Sequence, residues 1–404
     1  GDRVSVSRHS SKPLDGEIIQ LADGHATVLP DAQLEGIAIG DKVLLMDPAQ
    51  IRPTLNWIGR IVDPDGVPLD GRPLAPGLVS QKLKADPPPA AQRRPLGRRL
   101  DTGHVVFDTV LPIVQGQRIG LFAGSGVGKS TLMGQLAKRM AADIVVIALI
   151  GERGREVRQF VDETLGPNGL ARSIVIAATS DQSPLLRRRC AWTAMAVAEH
   201  FRDDGKSVLL LSDSITRFAE AHREIAVASG EAPVLRGYPA STSHLIMSLC
   251  ERAGPGGPDQ GDITAVFSVL VAGSDMDEPI ADILRGTLDG HVVLDREIAE
   301  RGRFPAVDVL RSVSRSLPAA ATSDENETIS HVRKHLSIYE QNKMMVNAGL
   351  YTQGADAEID SALQALPHIE DAISGVHGNG CQHSFDQVKL ALRRANIRGG
   401  HRSG

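Results

Sequence analysis

Residues Ala123 to Thr131 read AGSGVGKST and directly follow the apolar run Ile119-Gly120-Leu121-Phe122. A strand, a glycine-rich turn and a Lys-Ser-Thr ending make up a phosphate-binding loop. The small residues at Gly124, Ser125, Gly126, Val127 and Gly128 let successive backbone N–H groups turn inward on phosphates. Lys129 reaches the terminal phosphates, the Ser130 hydroxyl coordinates Mg²⁺, and Thr131 closes the motif. The first position of the pattern is usually Gly and here is Ala123. A chance glycine-rich turn would lack the helical spacing of Leu132, Met133, Leu136, Ala137 and Met140 that follows. The sequence therefore encodes a nucleotide triphosphatase.

Phosphate binding alone makes no catalyst, so the acid and base groups come next. The run Val208 to Leu211 ends in Ser212-Asp213, an apolar strand capped by a carboxylate, the arrangement of a Mg²⁺-coordinating Walker B element. Asp213 is the candidate metal residue; the plain alternative is a strand-terminal Asp capping the next helix. Gly151-Glu152-Arg153-Gly154-Arg155-Glu156 follows the apolar run Ile144 to Ile150, at the carboxyl end where open α/β sheets bind ligands. A carboxylate at Glu152 can orient and activate the attacking water, and a guanidinium at Arg153 can hold the γ-phosphate. The alternative here is a charged helix start, where the dipole favours Glu in any case.

Three regions position these residues. Residues 1–53 alternate in short bursts broken by Asp-Gly, Ala-Asp-Gly and Ile-Gly-Asp turns, the pattern of a small antiparallel β-barrel or part of one. A Pro- and Gly-rich stretch over 54–98 reads as linker and entry to the core. From 99 to 318, β-branched runs (Ile144 to Ile150, Ile174 to Ala178, Val208 to Leu211, Ile263 to Val271, His291 to Leu294) alternate with helical patterns. Such alternation predicts a mostly parallel sheet with helices on both faces, an α/β core. Residues 319–404 lose the β signals, and Glu325 to Leu350, Glu358 to Leu366 and Ser384 to Ala395 predict a C-terminal helical domain.

Composition adds bounds. With 404 residues and 42% hydrophobic content, the chain can bury a large core. A net charge of −5 argues against a generally basic nucleic-acid surface. Arg187-Arg188-Arg189 and Arg93 to Arg99 are local exceptions, readable as basic patches or as salt-bridged faces. Cys190, Cys250 and Cys381 are far apart, so neither a zinc site nor a disulfide framework is indicated. No apolar run approaches the roughly 20 residues that span a bilayer.

The segments GRIVDPDGVPLDG (59–71), DTGHVVFDTVLPIVQGQRIGLFAGSGVGKST (101–131), ALIGERGREV (148–157), the stretch 178–225 and ERGRFPAVDVLRSVSR (300–315) resemble the type III protein-export ATPases. These are relatives of the rotary ATP synthase α and β subunits. The resemblance covers nearly the whole chain and favours the flagellar enzyme over the injectisome one. It implies a P-loop, RecA-like core with a partial N-terminal β-barrel and a C-terminal helical domain, acting on ATP with Mg²⁺. By its motifs Glu152 is the general base and Arg153 a γ-phosphate contact. Lys129 and Ser130 lie on phosphate and metal, Asp213 reaches the metal through water, and Arg217 supports the site. Arg315 resembles an arginine finger that completes a neighbouring subunit's site. Phe304 matches an aromatic that packs on adenine, with Tyr351 a second candidate. Arg315 also reads as a surface Arg at a domain boundary, and Phe304 as a core Phe.

One chain carrying both base and finger implies head-to-tail assembly into a ring, for this family a homohexamer. The resemblance further implies a cytoplasmic enzyme, peripheral at the inner-membrane export gate. Its expected partners are a coiled-coil stalk protein, a regulatory dimer, the export gate and export chaperone–substrate complexes. Gly230 to Pro239 aligns with a pore-lining loop and would face the stalk; it also reads as a plain surface loop. The chain opens on Gly-Asp in strand-like sequence, and the family's N-terminal helix and first barrel strand are expected before it. Two other readings are a catalytic subunit of a rotary proton-translocating ATPase and an RNA-translocating ring ATPase. Against the latter stand the 3% aromatic content and the lack of an aromatic-studded basic strand in residues 1–53, so no nucleic acid is expected as partner.

Overall fold

The computed structural model describes residues 1–9, 12–271 and 276–399. It divides into two compact units. The first comprises Gly1–Pro95, Gly116–Phe122 and Ala142–Leu288, and the second Leu96–Gln115, Ala123–Ala141 and Asp289–Gly404. The sequence reading divides the chain consecutively, whereas these units interleave.

The first unit begins with β1 (Arg3–Val6), β2 (Leu14–Ala22), β3 (His25–Pro30) and β4 (Val43–Leu45), antiparallel in the order β3-β2-β1-β4. Asp23 and Gly24, with φ of 50° and 75°, form the β2–β3 turn, the left-handed pair that a two-residue hairpin requires and Asp-Gly favours. Arg188 donates to the buried Glu17 of β2 at 2.8 Å, and Arg189 reaches Asp31 at 3.2 Å and Asp65 at 3.0 Å. Arg187 pairs with Glu224 at 2.7 Å. The arginine triplet is thus a salt-bridged face, as it must be where guanidinium groups are buried.

The stretch 54–98, expected as linker, is packed. Trp57 is buried, β5 (Gln50–Ile51) pairs antiparallel with β7 (Gln81–Lys82), and β6 (Ile61–Val62) joins the main sheet. Arg94 donates to the Gln260 carbonyl and the Asp262 carboxylate, both at 2.7 Å. Two-residue strands carry no readable period, and Pro and Gly mask them further.

Next along the chain come α1 (Val105–Asp108), β8 (Arg118–Ala123) and α2 (Lys129–Arg139). The first unit continues with β9 (Ile144–Glu152), α3 (Gly154–Gln159), α4 (Gly166–Leu170), β10 (Ser173–Thr179), α5 (Pro184–Asp203), β11 (Ser207–Asp213) and α6 (Ile215–Ala228). It ends with β12 (Pro233–Leu235), β13 (Tyr238–Pro239), α7 (Ser241–Arg252), β14 (Gly254–Pro255), β15 (Asp262–Leu270) and α8 (Pro279–Thr287). Within this unit the sheet order is β8-β15-β11-β9-β10-β6. The pairs β15·β11, β11·β9, β9·β10 and β10·β6 are all parallel. Residues Ile144 to Gly151 are buried without a break, as expected of a parallel strand covered on both faces. Side-chain hydroxyls start the helices that leave the carboxyl ends: Ser183 Oγ accepts from Leu186 N, and Ser214 Oγ from Arg217 N, both at 3.3 Å.

In the second unit β16 (Gly290–Leu294) and β17 (Val307–Ser314) pair antiparallel, joined by α9 (Arg296–Glu300). The His291 to Leu294 run is thus a strand, as expected, and its partner β17 runs antiparallel to it. Helices α10 (Ser323–Asn347), α11 (Ala357–Ile373) and α12 (Gly380–Gly399) follow. Thr322 and Glu325 form a capping box at α10, and Glu325 also takes a bidentate pair from Arg99 at 2.9 and 3.2 Å. The segment expected to end at Leu366 runs through Pro367 to Ile373. The lost proline N–H costs one intrahelical bond, and burial of Ile369 and Ile373 offsets it.

Candidate active site

The phosphate loop lies in the second unit. Gly128, with φ of 86°, is the N-cap of α2 and supplies no side-chain cap, so the first N–H groups of the helix keep their capacity for an anion. Only glycine adopts this left-handed turn without cost. A Cβ there would also stand 3.2 Å from the Phe304 ring. The phosphate loop and Phe304 are thus brought together, with Phe304 50% exposed. Gly126 is left-handed too, with open space before it, and Ser125, Ser130 and Thr131 are exposed while Lys129 is half-buried.

Tyr351 is engaged elsewhere. Its hydroxyl donates to the Asp356 carbonyl at 3.0 Å and the Asp360 carboxylate at 2.9 Å, fixing the start of α11. Arg315 lies exposed just past β17, its backbone N–H on the Asp289 carbonyl at 3.0 Å.

The carboxylates lie in the first unit, at the carboxyl edge of the parallel sheet. Asp213 ends β11 opposite Leu149 of the adjacent β9, and β9 runs three residues further to Glu152. At about 3.3 Å per residue, the two backbones are offset by about 10 Å along that edge. Asp213 is buried, and the Ser268 hydroxyl donates to its Oδ1 at 2.7 Å. Sequence reasoning missed Ser268; its signal is one of two hydroxyls, with Thr264, inside the otherwise apolar run Ile263 to Val271.

Gly151, with φ of 67°, lets Arg217 lie across the strand end: a Cβ on Gly151 would stand 3.2 Å from Arg217 Cβ. Arg217 donates to Glu220 at 2.8 Å. That hydrogen bond raises its guanidinium pKa against the opposing effect of burial, and the fields of Glu220, Glu152 and Glu156 add to it. Arg153 caps α3 and is 79% exposed in its side chain, 3.6 Å from Glu156.

Residues 103–314 match the ATP synthase alpha/beta family nucleotide-binding domain. The chain belongs to that family. Residues 321–384 match the T3SS EscN ATPase C-terminal domain, which sets the family branch. Similar proteins include the flagellum-specific ATP synthases of Caulobacter vibrioides and Bacillus subtilis. The first is 45% identical over 93% of this chain and 86% of the relative, and the second 44% over 91% and 83%. Among solved structures, the assembled ATPase EscN of the enteropathogenic E. coli type III secretion system superposes with a TM-score of 0.87 at 34% identity, covering 97% of this chain and 98% of that one. EscN in complex with its central stalk EscO gives 0.86 at 36%, covering 96% and 94%. With its family and branch placed, the chain is an ATPase of the flagellar and type III secretion kind, with the α/β P-loop core expected of it.

Proposed function

We propose that this chain hydrolyses ATP as a homohexameric ring and so energises or primes flagellar protein export. The observation that carries the catalytic reading is the shared sheet edge: Glu152 ends β9 and Asp213 ends the neighbouring parallel β11. Glu152 accepts a proton from water, whose oxygen attacks the γ-phosphorus. The bond to the β–γ bridging oxygen breaks, and ADP and phosphate leave. Lys129 and the N–H groups of Gly124 to Thr131 hold the phosphates, Arg153 contacts the γ-phosphate, and Phe304 packs on the base. Tyr351 is the second base candidate, already bonded to α11.

The donor set suits Mg²⁺, a hard cation that prefers oxygen ligands: the exposed Ser130 hydroxyl at the start of α2, and the carboxylate of Asp213, whose Oδ1 is oriented by Ser268. Ser130 would hold the ion directly and Asp213 through water. When bound, it neutralises charge on the phosphate oxygens.

Arg315, exposed beyond β17, supports a finger that acts on a neighbouring copy. The loop 230–239 supports a coiled-coil stalk partner. Its hairpin β12–β13 exposes Val234 and Leu235, and Arg223 braces Tyr238 from 5.1 Å. A regulatory dimer, the export gate and export chaperone–substrate complexes complete the proposed partners, with the enzyme cytoplasmic and peripheral at the inner membrane. Among the described residues no helix is long and apolar enough to cross a membrane.

The ATPase rate per subunit, measured across a wide range of protein concentration in Mg²⁺, tests this reading. A rate that climbs steeply with concentration is the expected result. A rate that is high and constant down to the monomer would overturn sites shared between copies.

A further inference from the structure

The loop Arg301–Phe304 leaves α9 and carries Phe304 to the phosphate loop, both in the second unit. Backbone hydrogen bonds tie its start to α9, Gly302 N to the Ala299 carbonyl and Arg303 N to that of Ile298, and charge holds its side chains. Arg303 donates Nη2 to the Val307 carbonyl at 2.8 Å, and its Nε stands 3.8 Å from Oε1 of Glu370 on α11. Arg301 Nη2 stands 3.9 Å from the same oxygen. The Arg303 side chain is only 12% exposed, and its Nε has no hydrogen-bond partner. Burial accordingly lowers the pKa of this guanidinium, and Glu370 is first among the nearby charges that oppose the shift.

Behind the loop is a cavity of about 340 Å³, lined by Arg301, Arg303, Tyr339, Lys343, Leu366 and Glu370 among others. The arginine side of the loop therefore does not rest on close-packed side chains, while Ala306 and Val307 just beyond Phe304 are buried. Glu370 on α11 is the carboxylate that both arginines share, and Asp308 and Asp295 add smaller fields at Arg303. A half-buried aromatic on such a support moves when that charge is removed, because a buried guanidinium without its counter-charge seeks water.

We propose that Glu370 is a positioning residue for nucleotide binding: through Arg303 and Arg301 it holds Phe304 in register with the phosphate loop, and so lets α11 set the affinity for the base. The proposal rests on the reading that Phe304 packs on the base. Loss of Glu370 should weaken contacts to the base and leave contacts to the phosphates intact.

The test compares Glu370→Gln, Arg303→Met, Phe304→Ala and the Glu370→Gln/Phe304→Ala double variant in the full chain. For each, KM and kcat for ATP are measured together with the affinity for inorganic tripolyphosphate, which has no base. Glu370→Gln is expected to raise the KM for ATP about five-fold or more, to leave kcat within about two-fold and to leave tripolyphosphate binding unchanged. Arg303→Met is expected to behave likewise and keeps the test open if Glu370→Gln folds poorly. In the Phe304→Ala background, Glu370→Gln should add nothing. An unchanged KM in folded Glu370→Gln and Arg303→Met, with a raised KM in Phe304→Ala, overturns the positioning role alone. A normal KM in Phe304→Ala overturns the base-contact reading and the proposal with it. Equal losses for ATP and tripolyphosphate would mark general damage and also overturn the positioning role.

Discussion

At the scale of single residues, Glu152 and Asp213 share a sheet edge but differ in surroundings, and the difference fits the separate work proposed for each. Asp213 is buried with one oxygen taken by Ser268, a carboxylate whose orientation is fixed. Glu152 is half-buried at a strand end, beside a glycine that brings Arg217 close. Glu152→Gln keeps the shape and removes the proton acceptor. Turnover should fall by about 10²- to 10⁴-fold while ATP affinity stays within a few-fold, measured as kcat against equilibrium nucleotide binding. Near-normal turnover would sink the general-base assignment. Gly128→Ala probes the loop differently: a Cβ at φ of 86° is strained and meets the Phe304 ring at 3.2 Å, so nucleotide binding itself should weaken. Titration with ATP reads that loss. The phosphate loop, Asp213 and Glu152 were legible in the sequence because each combines a residue type with a place just after an apolar run. Ser268 was not, since one serine in a buried strand looks like tolerated polarity until the strand order sets it beside Asp213.

At the scale of elements, α1 carries a buried charge problem that pH should expose. His104, its N-cap, is fully buried, and neither ring nitrogen has a hydrogen-bond partner. Burial, with a smaller effect from Arg139, pushes its imidazole from 6.5 down to about 4. The unfolded chain therefore takes up this proton first as pH falls. The histidine's contribution is fully present above pH 6.5 and is lost as pH drops through 4, by about 3 kcal/mol in all. Urea midpoints measured from pH 7 to pH 4 should fall less steeply in His104→Leu than in the parent, and parallel slopes would refute the assignment. The long β and α patterns of the core and the C-terminal helices could be read from periodicity. The packed stretch 54–98 could not, because its strands are two residues long and two of its anchors, β6 on β10 and Arg94 on Asp262, have partners far away in sequence. The continuation of α11 past Pro367 was hidden for the opposite reason: a local rule predicts a stop, and distant burial overrides it.

At the scale of the whole molecule, the proposed ring makes a prediction that no isolated subunit could satisfy. Glu152 is proposed as the base of its own copy's site, and Arg315 as the finger of the neighbour's. A ring of Arg315→Ala subunits then has every base and no finger, and should lose about 10³- to 10⁵-fold in turnover. A ring of Glu152→Gln subunits has every finger and no base. Mixed together, the two inactive proteins form rings in which some interfaces pair an intact Glu152 with an intact Arg315 from the adjacent copy. In a random equimolar mixture about a quarter of head-to-tail interfaces have that composition, since each side is intact half the time. The mixture should therefore regain a sizeable fraction of the parent rate once subunits exchange, and the recovery should vanish at concentrations too low for assembly. Arg315 acting within its own copy predicts the contrary: neither variant contains a complete site, so no mixture exceeds the sum of its parts. The two outcomes differ by orders of magnitude in one steady-state assay, which separates a shared site from a private one whatever the size of the ring.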